Sequence, residues 1–95
     1  MRTDDTEFEF LGKYQGELDD NELPHGAGTF YFLNGEKYEG TWEHGKFHGI
    51  GRYYWPNNTK YYGEFYKDQI HGYGVCYYLD GGIYQGYWKN GGTDG

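Results

Sequence analysis

Three histidines each begin a short glycine motif: His25-Gly26-Ala27-Gly28, His48-Gly49-Ile50-Gly51 and His71-Gly72-Tyr73-Gly74. Regularly spaced histidines raise the question of a metal site, and His-Gly-x-Gly that of an oxyanion loop. Zinc holds its ligand nitrogens at ~2.0–2.1 Å. If the histidines sit at equivalent places in successive β-hairpins they lie two strands apart, roughly 9.5 Å at ~4.7–4.9 Å per strand. Three such histidines cannot share one ion, so a turn-stabilising, ring-packing role is expected and no metal is assigned. An oxyanion loop needs a nucleophile elbow of the G-x-S-x-G kind, and the chain contains no serine. The threonines stand in no nucleophile context.

The remaining reactive residue types read as blandly. Gly26-Ala27-Gly28 does not open a dinucleotide cradle, because Tyr31 stands where the third glycine should be and a strand pattern follows in place of a helix. Asp19, Asp20 and Glu22 cluster in one loop, but calcium needs more oxygen ligands at loop spacing, so a solvated acidic loop is expected. Cys76 has no Lys or Arg in its local sequence to lower its pKa and is expected to be a small buried hydrophobe. His44 belongs to no repeated position and is expected in solvent. No catalytic residue and no cofactor follow from these patterns, and the chain is expected not to be an enzyme.

The elements that carry these residues are set by a repeat. Tyr38-x-Gly40-x-Trp42-x-x-Gly45-x-x-His48-Gly49-x-Gly51 starts a unit of 23 residues that begins again at Tyr61 and at Tyr84; an earlier copy starts at Tyr14, 24 residues before Tyr38. A fixed period of this length is the mark of a repeat architecture. The units run 14–37, 38–60 and 61–83, with a partial fourth at 84–95, and residues 6–95 form one domain behind a flexible acidic tail at 1–5. Within a unit Tyr38, Gly40 and Trp42 alternate with Glu39, Thr41 and Glu43, as a half-buried strand does. A second strand is expected from about the second glycine of His-Gly-x-Gly, with Gly51, Tyr53 and Trp55 on one face. Turns are expected at Asn34-Gly35, Asn57-Asn58 and Asp80-Gly81, residues that tolerate positive φ. Gly45 takes the turn inside unit two and Asp68 the same place in unit three. The extra residue of unit one predicts a longer loop or bulge between Asp19 and Pro24. Residues 6–11 read as the second strand of an incomplete earlier unit. Glycines recur too often for a helix.

Stacking the units lines up Tyr14, Tyr38, Tyr61 and Tyr84 in one column and Leu18, Trp42, Phe65 and Trp88 in the next. Tyr31, Tyr54 and Tyr77 form a column on the opposite face. With few aliphatic residues among its 95, against 18 glycines and 13 tyrosines, the chain must build its core from rings. A net charge of -7 argues against nucleic acid and anionic lipid, both of which call for basic patches. No stretch reaches the ~18–20 apolar residues of a membrane-spanning helix. One cysteine permits no internal disulfide, and with no apolar leader at 1–5 the expected setting is cytoplasmic, with the nucleus or a cilium as variants.

The quoted motif resembles the MORN repeat family, over residues 14–95. The resemblance implies an elongated, single-layer antiparallel β-meander with one hairpin per repeat, and a non-catalytic scaffold role. A narrower likeness attaches to Gly16-Glu17-Leu18-Asp19-Asp20, to Leu23-Pro24-His25-Gly26 and to Asp80-Gly81-Gly82 with Gln85-Gly86. These resemble the MORN region that precedes the catalytic domain of SET-domain histone lysine methyltransferases, which implies a regulatory or substrate-positioning part as the alternative. It transfers no catalytic residue.

The expected function is protein binding through exposed rings, with Tyr31, Tyr54 and Tyr77 on one face and Tyr38, Trp42, Tyr61, Phe65, Tyr84 and Trp88 on the other as candidates, since Tyr and Trp are favoured at hot spots. In unit four Gly91 falls at the turn glycine and Asp94-Gly95 at the place of His-Gly. Residues 84–88 then form an aromatic edge strand, expected to be covered by a further repeat, a partner strand or a second copy, and hence to self-associate.

Overall fold

A computed structural model describes residues 2–8, 11–89 and 92–93. The chain folds as one open antiparallel sheet of nine strands in sequence order: β1 (Arg2–Phe8), β2 (Gly12–Leu18), β3 (Pro24–Phe32), β4 (Lys37–Glu43), β5 (Lys46–Tyr54), β6 (Lys60–Tyr66), β7 (Gln69–Tyr77), β8 (Ile83–Lys89) and β9 (Gly92–Thr93). No helix occurs among the described residues. The single-layer meander that the MORN resemblance implies is the fold observed, 39 Å in its longest extent and 17 Å in its shortest.

Register carries the repeat across the sheet. Tyr14 pairs with Phe30, Phe30 with Tyr38, Tyr38 with Tyr53, Tyr53 with Tyr61, Tyr61 with Cys76 and Cys76 with Tyr84. The neighbouring row is glycine from β2 to β8: Gly16, Gly28, Gly40, Gly51, Gly63, Gly74 and Gly86. Each column tyrosine lies flat over this row and donates its hydroxyl to a carbonyl three residues on: Tyr14 to Glu17 at 2.6 Å, Tyr38 to Thr41 at 2.8 Å, Tyr61 to Glu64 at 3.0 Å and Tyr84 to Tyr87 at 3.1 Å. A buried phenol needs such a partner, because an unpaired polar group inside costs free energy.

The rings then meet edge to face. Tyr14 packs on Trp42 with centroids 5.5 Å apart, Tyr38 on Trp42 at 5.0 Å and on Phe65 at 4.9 Å, Tyr61 on Phe65 at 5.2 Å and on Trp88 at 5.4 Å, and Tyr84 on Trp88 at 5.2 Å. This is one continuous chain of T-shaped contacts running from unit to unit, each contributing ~0.5–1.5 kcal/mol beyond area burial. It explains how a sheet with no second layer holds a core: each hairpin buries its rings on the next.

The turns between units share one construction. Asn34, Asn57 and Asp80 accept, at Oδ1, the N–H two residues ahead (Glu36, Thr59 and Gly82) at 2.9, 3.0 and 2.9 Å. The residue after each has positive φ, Gly35 at 93°, Asn58 at 73° and Gly81 at 90°. Gly45 and Asp68 take positive φ in the turns inside units two and three, as expected. The loop at 19–23 is the longer one expected of unit one.

Two strand boundaries differ from expectation. The second strand of each unit begins before the histidine, not after it, because the chain bulges. Gly40 pairs with Gly51 and Trp42 with Phe47, so Thr41 alone stands opposite residues 48–50. The same offset occurs opposite Glu17 and opposite Glu64. Beyond the bulge, pairing resumes and draws Phe47 and Ile70 into the strand. β1 also starts earlier than residue 6: Arg2 to Asp5 pair with Leu18 to Gln15, since the free edge of β2 offers backbone partners along its whole length. Gly91, Asp94 and Gly95, assigned above to the turn and His-Gly places of unit four, lie outside the described residues.

Candidate functional site: two faces and a loop cluster

The bulges give the histidine motif its meaning. Gly26, Gly49 and Gly72 hold φ of 86°, 86° and 100°, which turns the chain out and back within each bulge. The N–H freed on the far side is taken by the residue opposite. Ala27 N donates to Glu17 Oε2 at 2.8 Å, Ile50 N to Thr41 Oγ1 at 3.2 Å and Tyr73 N to Glu64 Oε2 at 2.7 Å. Thr41 Oγ1 in turn donates to the carbonyl of His48. Glu17, Thr41 and Glu64 read in the sequence as ordinary solvent-facing residues. The signal that finds them is that the third residue after each of these motif tyrosines carries an acceptor.

The six ring candidates on the core face divide sharply by burial. Tyr38, Trp42, Tyr61, Phe65 and Trp88 are buried, and Tyr84 is partly so. Their rings are closed against one another, so they support a surface and do not present one. Along the rim of this face Phe47, Tyr53, Trp55 and Ile70, with Asp68 and Gln69, line a shallow pocket of about 280 Å³.

The opposite face is the open one. Tyr31 is 48% exposed and Tyr77 39%, with Tyr54 half-buried between them. Lysines stand between the tyrosines: the row across the sheet reads Lys13, Tyr31, Lys37, Tyr54, Lys60, Tyr77. Lys37 Nζ lies 4.5 Å from the Tyr54 ring centroid and 5.9 Å from that of Tyr31. In the next row Arg52 covers Tyr62 at 5.4 Å. The Lys37 ammonium is held by the ring quadrupoles and by Glu39 at 3.8 Å, and Glu39 also accepts the Tyr54 hydroxyl at 3.2 Å and meets Arg52 at 4.0 Å. A molecule of net charge -7 thus gathers three of its eight basic residues in one row.

The third feature lies at the end of the sheet where the loop at 19–23 meets the β4–β5 turn. Asp19 Oδ1 accepts the N–H of Asn21 at 2.8 Å and of Leu23 at 3.1 Å, which shapes the loop. Its Oδ2 meets His44 Nδ1 at 2.7 Å. His44 stacks on His25, ring centroids 4.3 Å apart, and donates its backbone N–H to His25 Nδ1 at 3.1 Å. Gly45 N donates to Pro24 O at 2.7 Å and ties the two loops together. The hydrogen bond from His44, and after it that from the Leu23 amide, hold the Asp19 carboxyl below its ordinary pKa. His44 is exposed, as expected, and is also engaged by Asp19 and His25. His25, His48 and His71 do lie one per hairpin, and His48 faces Glu43, Nε2 to Oε2 at 3.8 Å, and the ring of Tyr66. Cys76 is buried, as expected, and burial raises its pKa.

A single sheet of stacked two-strand units with an aromatic core layer defines a β-meander repeat protein. Residues 14–37, 38–60 and 61–83, well over half of the chain, match the MORN repeat, and the chain belongs to that family. It is also similar to the histone-lysine N-methyltransferase SETD7 of Halocynthia roretzi, 50% identical over 34 residues, which are 36% of this chain and 9% of the methyltransferase. The chain therefore spans a small part of that relative's length. MORN repeats are typically non-catalytic, and the shared stretch is MORN sequence, outside the catalytic domain.

Proposed function

We propose that this protein is a non-catalytic MORN-repeat scaffold that binds an extended, acidic protein segment along the row Tyr31, Lys37, Tyr54, Lys60, Tyr77. The alternation of rings and ammonium groups in that row, with Tyr31 and Tyr77 exposed and Tyr54 half-buried, carries the reading. Successive tyrosines are two strands apart, about 9.5 Å. Three residues of polyproline-like chain advance ~9.3 Å, so such a segment places an equivalent residue at each tyrosine and its acids at the lysines. Rigid rings lose little entropy on binding, and charge complementarity speeds encounter. The setting that suits Cys76 as a free thiol is the cytosol or nucleus.

The test is fluorescence anisotropy with a synthetic peptide of about nine residues carrying proline at every third place and glutamate beside it. Saturable binding that Tyr54→Ala and Lys60→Glu each weaken about tenfold or more supports the reading. Equal binding by both variants, or by a peptide with the same residues scrambled, overturns it. Self-association belongs to the same proposal: β8 meets β9 only through Trp88 and Lys89, so among the described residues the outer edge of 84–87 has no strand partner. Sedimentation showing a strict monomer at high concentration would remove it. The second reading, a regulatory region of a lysine methyltransferase, rests on a likeness of 34 residues, 9% of that relative, and is not the favoured one; a transcript that does not read on into a SET domain would end it.

A further inference from the structure

Asp19, His25 and His44 are brought together by the one loop that breaks the 23-residue period. One ligand atom from each lies within 4.8 Å of the other two. The Asp19 side chain is only 9% exposed, whereas His44 is 66% exposed and forms the open side of the cluster. We propose that these three residues bind a divalent transition-metal ion of the zinc class, through two imidazole nitrogens and one carboxylate oxygen, with water in the fourth position.

Three observations carry this. The donor set is one that zinc takes, and three protein ligands leave an open tetrahedral place. The carboxylate is already fixed: Oδ1 is committed to the Asn21 and Leu23 amides, which points Oδ2 at His44. The trio is also no by-product of the repeat. Asp19 comes from the extra-length loop, and the place of His44 in the next unit is held by Lys67, which shares its positive φ but cannot serve as a neutral imidazole donor. Without an ion the donors satisfy one another. His44 Nδ1 sits 2.7 Å from Asp19 Oδ2, closer than the ~3.3–3.4 Å that two ligands keep around a tetrahedral ion at ~2.0–2.1 Å. Binding therefore opens this pair by some tenths of an ångström, which the exposed His44 ring can give. The proton between them moves from Nδ1 to Nε2 of the same ring, so the ion takes the proton's place and no net charge is lost. His25 gives up the hydrogen bond from the His44 amide and offers that nitrogen to the metal. The ion then cross-links the first and second units at the rim of the sheet.

Titration of the untagged full chain with zinc chloride, followed by calorimetry, tests it; cobalt(II) absorption in the visible reports the tetrahedral N/O field independently. One zinc per chain and a raised melting temperature in zinc are expected. Asp19→Asn keeps an oxygen for the loop amides and an NH₂ for the His44 ring, yet removes the anionic ligand. His44→Lys installs the residue of unit three. Each is expected to lower zinc affinity about tenfold or more and to leave the zinc-free melting temperature close to that of the parent. His48→Ala is expected to change nothing. Absence of saturable zinc binding, binding unchanged in both ligand variants, or an equal loss in His48→Ala overturns the site.

Discussion

Glu64 Oε2 accepts the backbone N–H of Tyr73 at 2.7 Å, across a bulge in which one residue of β6 faces three of β7. The same bond joins Glu17 to Ala27 and, through a hydroxyl, Thr41 to Ile50. The bulge would otherwise leave a main-chain donor unpaired at the point where the strand turns out and back, and such groups are rarely left without a partner. The side chain thus fixes where the second strand of each unit resumes its register.

Glu64→Ala should accordingly destabilise the protein by about 1–2 kcal/mol, the range for a bond to a charged acceptor at a partly solvated site. Glu64→Gln keeps an acceptor and should recover most of that. Urea unfolding of the three proteins measures it. Equal midpoints for Ala and Gln would mean that the carbonyl oxygen contributes nothing at this place.

The glycine of the bulge is the second determinant. Gly49 has φ of 86°, and a Cβ added there would lie 2.5 Å from Thr41 Oγ1. A β-branched residue is strained at that φ and would also displace the bulge cap. Gly49→Val should therefore lower the melting temperature well below that of Glu43→Ala, whose side chain is exposed. Parity between the two would refute the strained-turn account.

These features mark how far the sequence could be read. The period, the turns at Asn34, Asn57 and Asp80 and the tyrosine column were legible because each answers a local demand: positive φ, a two-residue face alternation, a repeated ring. The bulges were not, since Thr41 looks like any solvent-facing strand residue until its partner strand is in place. The interleaving of Lys37 and Lys60 with Tyr54 was hidden for the same reason: column neighbours belong to different strands, many residues apart. Asp19 and His44 are separated by 25 residues, and neither repeats. Their meeting depends on how a loop of exceptional length folds against the next unit, which no period encodes.

Alkali should unfold the protein before it ionises the core. Burial, followed by the nearby Glu17 charge, raises Tyr14 from 10.0 to about 12, and burial likewise takes Tyr61 to about 12. Below pH 10 both folded and unfolded chains hold these protons and the contribution is intact. Between about pH 10 and 12 the unfolded chain loses them first, so stability falls as pH rises through that window; above it the folded state ionises too and the loss levels off. Urea midpoints should decline across the window, with the phenolate absorbance of the folded protein lagging behind that of free tyrosine. A flat midpoint from pH 9 to 12 would contradict the burial.

The sharpest test of the core is the contact of Tyr61 with the glycine row. A Cβ at Gly74 would stand 2.1 Å from the Tyr61 hydroxyl and 2.4 Å from the ring carbon that bears it. The ring has no room to retreat, because Phe65 and Trp88 hold it edge to face on either side. Gly74→Ala should thus cost about 2 kcal/mol or more, as overpacking does in a close-packed core. Tyr61→Phe removes only the hydroxyl bond to Glu64 O and should cost about 1 kcal/mol. In the double variant the hydroxyl clash is gone but the ring carbons still meet the new methyl, so the two costs should fail to add, with the pair less destabilised than their sum by about 0.5 kcal/mol or more. Strict additivity would show that the ring does not rest on Gly74, and the stacked-tyrosine account of this sheet would fall with it.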